Sequence, residues 1–107
     1  MKQQNLYLRI KNKTKEAADI VDYLNIKFAL GDECNKCEED IERLLLSSLD
    51  DLKLINDDFT LSAASGHVIP LLLTLNRIEE AKELYKNVTI HFIRNELEDA
   101  YDILRRI

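Results

Sequence analysis

Residues 34–52, CNKCEEDIERLLLSSLDDL, carry the clearest helical pattern in the chain. The apolar side chains in and around this stretch recur every three or four residues, at Cys34, Cys37, Ile41, Leu44, Leu45, Leu49 and Leu52. This spacing places them on one face of an α-helix and most charged residues on the other. Asp32 and Glu33 precede the stretch, where negative charge favours the start of a helix. The pattern predicts a long amphipathic helix that buries one face.

A second amphipathic helix is predicted upstream, over residues 14–30. Apolar residues keep helical spacing there, Thr14 is a suitable N-cap, and Gly31 is a suitable end. Before it, Leu6, Leu8 and Ile10 alternate with other residues, which predicts a short strand. Leu6 and Ile10 also fit one extended helix that continues beyond Thr14, and periodicity leaves these two structures open.

The segment of residues 59–75 contains no formally charged residue when His67 is counted as neutral. A helix that is apolar on most sides is normally buried in the middle of a bundle. Gly66 lowers helix stability and Pro70 cannot donate a backbone hydrogen bond. We therefore predict a break near Gly66 and a second short helix from about His67 to Leu75.

Two similar stretches follow, at residues 76–86 and 95–105. Asn76 and Asn95 are each followed three residues later by a glutamate, the arrangement of a capping box that starts a helix. Between them, residues 88–93 are β-branched and aromatic, which suits a strand. We predict an all-α fold, a small helical bundle of four to six helices. The alternative is a mostly α fold with a two-stranded ribbon from residues 5–10 and 87–93.

Two short segments resemble helices of known repeat families. Asn76–Tyr85, with its core IEEAKELY, resembles the second helix of a tetratricopeptide or related helical-hairpin repeat. Thr60–His67, TLSAASGH, resembles the first helix of an ankyrin repeat. The echo at Asn95 returns well before the period of about 34 residues that tetratricopeptide units have. These resemblances imply helical segments and assign no function.

The composition predicts a single helical domain over residues 1–107. The chain has only two Gly and one Pro, whereas average usage of about 7% and 5% would give several of each. This scarcity favours long helices with short connections. The N-terminal residues lack the pattern of a signal peptide and no long apolar run is present, so we expect a cytoplasmic protein that does not interact with membranes.

The formal charge of −5 is unevenly distributed. Residues 1–31 contain six basic and three acidic residues, residues 32–58 three and ten, and residues 59–107 six and seven. Residues 1–13 are predicted to form a small basic arm or a short strand. Its few cations fall short of the basic face of nucleic-acid binding domains, so nucleic-acid binding through this arm is only a second alternative.

Cys34 and Cys37 have the spacing of half a zinc site or of a redox pair at the start of a helix. Neither His67 nor His91 belongs to a paired ligand motif, and neither has a recognisable nucleophile beside it. The two cysteines also fit the apolar stripe of the helix, where cysteine behaves as a small apolar residue. A metal-binding or redox protein is therefore the first alternative. We predict no cofactor and no enzymatic activity.

The acidic face of the predicted helix is the main candidate for a binding surface. Dense negative charge accelerates association with a basic partner and orients it. We expect a protein-binding module that occludes or stabilises a partner with a basic surface, of the inhibitor, immunity-protein, antitoxin or chaperone type. A homodimer joined through an exposed apolar stripe is a further alternative. The candidate partner-binding residues are Glu38, Glu39, Glu42, Asp50 and Asp51.

Overall fold

The computed structural model describes residues 2–106, and over that range it is an all-α bundle without strands. The helices are α1 (Gln3–Ala29), α2 (Asn35–Leu52), α3 (Asp58–Thr74), α4 (Ile78–Tyr85) and α5 (His91–Ala100), followed by a 3₁₀ helix (Asp102–Arg106). The predicted fold class is confirmed. The alternative ribbon is wrong, because residues 5–10 lie within α1, and residues 87–93 form a loop and the first turn of α5.

Helix α1 is one continuous helix of 27 residues, so neither a short strand nor a separate basic arm precedes it in the described range. The predicted cap Thr14 lies in its interior, on the stripe that also buries Ile10, Ala17 and Val21. The Thr14 hydroxyl donates a hydrogen bond to the Ile10 carbonyl, 2.8 Å away. Because this hydrogen bond satisfies the hydroxyl within its own helix, the threonine can be buried in the core, and it does not cap a helix start.

The end of α1 is as predicted. Gly31 has a φ of 79°, in the left-handed region that glycine adopts without steric cost. Its amide donates to the Phe28 carbonyl at 3.0 Å, and the Asp32 amide donates to the Lys27 carbonyl at 2.8 Å. These two bonds form a Schellman motif, which satisfies the last carbonyls of the helix and turns the chain toward α2.

The two asparagines predicted as N-caps have other roles. Asn76 has a φ of 60° and ends α3, since its amide donates to Leu73 and the Arg77 amide to Leu72, at 3.1 and 2.8 Å. This is a second Schellman motif, with asparagine in place of glycine. Asn95 lies inside α5. The sequence echo therefore does not correspond to a structural repeat.

Helix α3 is the central helix, as its apolar composition predicts, but it has no break at Gly66. Pro70 lies within it and removes the hydrogen bond that residue 70 would donate to the Gly66 carbonyl. In an isolated helix this loss would favour a break. Here α3 packs against α1, α2, α4 and α5, and this tertiary packing holds the helix together across the proline.

The core follows the inner stripes of α1 and α2 and most of α3, and Tyr85 and Leu104 close it from the C-terminal side. Helices α1 and α2 run antiparallel in a hairpin, and the Asn56 amide donates to the Gln3 side chain at 2.9 Å at its base. Within residues 2–106, none of the helices combines the length and the apolar composition that crossing a bilayer requires.

One charged side chain of α2 points into the α1–α2 interface. Asp51 is only 4% exposed, and its carboxylate contacts Lys13 at 2.7 Å and Arg9 at 3.0 Å. Lys13 also donates to the Ser47 hydroxyl at 2.6 Å. A buried carboxylate needs such partners, because an unpaired charge in the core carries a large desolvation cost.

We expect Asp51→Asn to lower the free energy of unfolding by about 2 kcal/mol, since it leaves two cations of α1 without their countercharge. Asp19→Asn removes the exposed Lys15–Asp19 pair, 3.3 Å long, and is the matched control with a change below about 0.5 kcal/mol. Urea denaturation of the three proteins measures both values. Equal stability of the two variants would contradict the role given to Asp51.

Candidate protein-binding surface

The acidic residues predicted on α2 separate into two groups in the structure. Glu38, Glu39, Glu42 and Asp50 lie on its exposed face. Asp51 does not belong to this surface, because its carboxylate is buried against α1. The amphipathic pattern therefore gives four of the five candidate residues an accessible position.

Arg77 connects this face of α2 to the start of α4. Its guanidinium contacts Glu42 at 2.8 Å and Glu80 at 2.8 Å, with a second bond to Glu80 at 3.1 Å. The carboxylates of Glu80 and Glu42 raise the pKa of Arg77, so the group stays charged. Glu42 is thus partly neutralised within the molecule, whereas Glu38 and Glu39 have no ion pair within the described residues.

Helix α4 extends the acidic surface, which sequence reasoning missed. It adds Glu79, Glu80 and Glu83. Helix α2 has six acidic and two basic residues and α4 has three and one, so together they carry a formal charge of −6 against −5 for the whole chain. The amphipathic pattern of residues 78–85 was visible in the sequence, but no local signal shows that α4 lies beside α2.

A groove with an apolar floor separates α2 from α4. One depression of about 560 Å³ is lined by Leu49 and Leu84 and by the carboxyl-bearing side of α4. An adjoining depression of about 360 Å³ shares Leu49 and Leu84 and continues toward Ile55. Leu46 of α2 is 48% exposed but lines neither depression. We call this feature the α2–α4 groove: leucines form its centre and the glutamates of α4 its rim.

Carboxylates on the rim and on the neighbouring face of α2 pair with a cation on their own helix or its end. The pairs Asp50–Lys53, Glu79–Lys82 and Glu83–Lys86 join residues three apart, at 3.8, 3.9 and 2.8 Å. Exposed pairs of this kind contribute little free energy and are screened by salt. The carboxylates can therefore exchange these partners for the cations of an incoming protein at small cost.

The two cysteines are joined by a disulfide at the start of α2. Among the described residues, no group of three or more His, Cys, Asp or Glu side chains is placed to hold a metal ion. His67 lies elsewhere, on α3 in a cleft of about 480 Å³ between α1 and α3. His91 is exposed at the first position of α5. The half zinc site thus gains no further ligand from either histidine.

His67 is half-buried and bonded to another side chain. Its Nε2 lies 3.0 Å from the Tyr7 hydroxyl, and the two rings meet edge to face. Two threonine hydroxyls, the groups there that most resemble a catalytic nucleophile, line the same cleft. The Thr14 hydroxyl donates to the Ile10 carbonyl at 2.8 Å, and the Thr74 hydroxyl donates to the Pro70 carbonyl at 2.9 Å. This geometry gives His67 a packing and hydrogen-bonding role between α1 and α3.

The basic residues of the N-terminal segment do not form a continuous patch. Arg9 and Lys13 are directed to Asp51, and Lys11 and Lys15 line the cleft on the other side of α1. A nucleic-acid site needs cations that face one phosphate backbone. Nucleic-acid binding, the second alternative, therefore gains no support from the fold and stays a prediction.

No protein-family model, curated protein or solved structure matches this chain. Among the surfaces of residues 2–106, the α2–α4 groove combines negative charge, concavity and apolar side chains.

We expect His67 to make folding stability depend on pH. Burial, and secondarily the charge of Lys11, lower the pKa of His67. The folded protein therefore binds this proton less readily than the unfolded chain, in which histidine titrates at about pH 6.5. The stabilisation of the fold by neutral His67 is present above that pH and is lost as the pH falls below it. The Tm difference between wild type and His67→Gln should shrink between about pH 7.5 and about pH 5.5. A Tm difference independent of pH would show that His67 titrates alike in both states.

Proposed function

We propose that this chain is a protein-binding module whose α2–α4 groove receives a basic, partly apolar segment of a partner protein. The observation that carries the proposal is the pairing of an apolar floor, Leu49 and Leu84, with the three glutamates of α4 along one wall. Interfaces combine an apolar centre with a polar rim in this way. An amphipathic helix with lysines or arginines along its edges has the complementary pattern.

The two parts of the groove have different tasks in this mechanism. The net charge of α2 and α4 raises the encounter rate with a basic surface and orients the partner. The leucines supply affinity, because a partner that covers the half-buried side chains of Leu49 and Leu84 removes apolar surface from water. Salt should therefore slow association strongly and affect dissociation much less.

Glu79 and Glu83 are the best residues to change, since both line the groove and their ion pairs with Lys82 and Lys86 are exposed. The double variant Glu79→Lys/Glu83→Lys is compared with Glu16→Lys/Glu96→Lys, which makes the same change in net charge on α1 and α5. A third variant, Leu84→Gln, replaces an apolar side chain of the groove floor with a polar one, and circular dichroism checks that it folds.

We expect a basic partner captured from lysate by the wild type and by the Glu16/Glu96 control to be lost with the Glu79/Glu83 variant. With that partner purified, charge reversal should lower the association rate at least about tenfold at low salt, and Leu84→Gln should mainly accelerate dissociation. Equal loss in both charge variants would indicate a general effect of net charge. Binding unchanged by both Leu84→Gln and charge reversal would exclude the α2–α4 groove as the interface.

A further inference from the structure

The disulfide between Cys34 and Cys37 joins neighbouring residues and links no two helices. Its Cα atoms are 5.4 Å apart, and the bond closes a loop of only four residues between the N-cap of α2 and its first turn. The entropic stabilisation by a disulfide grows with the length of the loop that it closes. A bond across so short a loop therefore stabilises the fold less than a long-range disulfide does, and its position at the N-cap leaves room for a chemical role.

The two sulfur-bearing residues differ in accessibility. Cys37 is 6% exposed and lies on the buried stripe that continues with Ile41. Cys34, at the N-cap, is only partly buried. An external thiolate can therefore approach the Cys34 sulfur from solvent, whereas the Cys37 sulfur is shielded by the fold. This asymmetry defines which sulfur is attacked and which one leaves.

We propose that the Cys34–Cys37 pair is a thiol–disulfide exchange site, with Cys34 as the sulfur that forms the mixed disulfide. A thiolate of the reducing partner attacks Cys34 Sγ, the new S–S bond forms, and the Cys34–Cys37 bond breaks with its electron pair on Cys37. A second thiolate then attacks the partner's sulfur in the mixed disulfide and releases Cys34. In total two thiols become one disulfide, the protein disulfide becomes a dithiol, and two electrons enter the protein.

The position of Cys37 favours its departure as a thiolate. It is the third residue of α2, where unpaired amide groups and the helix dipole stabilise negative charge. Its own amide donates to the Cys34 carbonyl at 3.2 Å, which keeps the two residues in one turn after the bond is opened. The reduced pair thus stays placed for the reverse reaction.

The surroundings select among thiols by charge and polarity. Asp32, Glu33 and Glu38 flank the pair, with Lys36 as the basic residue between the cysteines. Phe28 and Leu30 are 82% and 72% exposed at the end of α1, in the same hairpin tip. A negatively charged thiol is repelled here, whereas a cysteine in a neutral or basic, partly apolar protein segment is accepted. The inferred partner is therefore a protein dithiol.

Partial alkylation of the reduced wild-type protein tests which sulfur reacts. The protein is reduced with dithiothreitol under native conditions and treated briefly with iodoacetamide, and peptide mass spectrometry then measures the label at each cysteine. We expect Cys34 to be labelled at least about tenfold faster than Cys37 in the folded protein and the two rates to converge in denaturant. Equal rates in the folded protein would overturn the assignment of Cys34 as the exchanging sulfur.

The exchange itself is tested by the rate of disulfide reduction with three small thiols, corrected for thiolate concentration. Cationic cysteamine should react fastest, neutral 2-mercaptoethanol more slowly and anionic 2-mercaptoethanesulfonate slowest, with differences that diminish at high salt. Far-UV circular dichroism should stay unchanged during reduction. Reduction that occurs only together with unfolding would show a structural disulfide and overturn the proposal. These readouts need no binding partner, so they are independent of the α2–α4 groove.

Discussion

The buried carboxylate of Asp51 constrains how the two longest helices meet. Because it must find cations inside the α1–α2 interface, Lys13 and Arg9 have to lie opposite it, and this fixes the axial position of α1 against α2. It also fixes the rotation of α2 about its own axis. With Asp51 turned inward, Cys37 and Leu44 are in the core, and Glu38, Glu39 and Leu46 must face solvent. The groove and the asymmetry of the disulfide both depend on this rotation.

The features that sequence predicts well here are those set by periodicity over several turns. The inner face of α2 and the central position of α3 follow from the spacing and abundance of apolar residues, because burial of a face dominates the energy of a helix in a small domain. The outer carboxylates of α2 follow by exclusion. These regularities extend over many residues, so no single local preference can reverse them.

The errors concern helix ends, where one residue supports two structures. Thr14 is a good cap and also an acceptable buried residue when its hydroxyl bonds the preceding turn. Asn76 is suited both to start a helix and to end one in the left-handed conformation, and the position of α3 selects the second. Gly66 and Pro70 are tolerated because four neighbouring helices hold α3. Each choice depends on tertiary contacts that local sequence does not contain.

For the candidate binding surface, one signal was present in the sequence and another was absent. Asp51 lies seven residues after Leu44 and three after Ser48, so the period of the buried stripe already placed it on the inner face. Counting acidic residues does not show which face of the helix each of them occupies. The contribution of α4 had no such signal, since the proximity of Glu80 to Glu42 through Arg77 arises from the turn between α3 and α4.

The exposed tip of the α1–α2 hairpin combines apolar and acidic side chains. Phe28 and Leu30 are largely exposed, and Asp32 and Glu33 follow them directly, so two such tips repel each other in dilute salt. Salt screens this repulsion. Under the function proposed above, the same salt would weaken the attraction between the acidic α2–α4 groove and a basic protein, so ionic strength would act on the two surfaces in opposite directions.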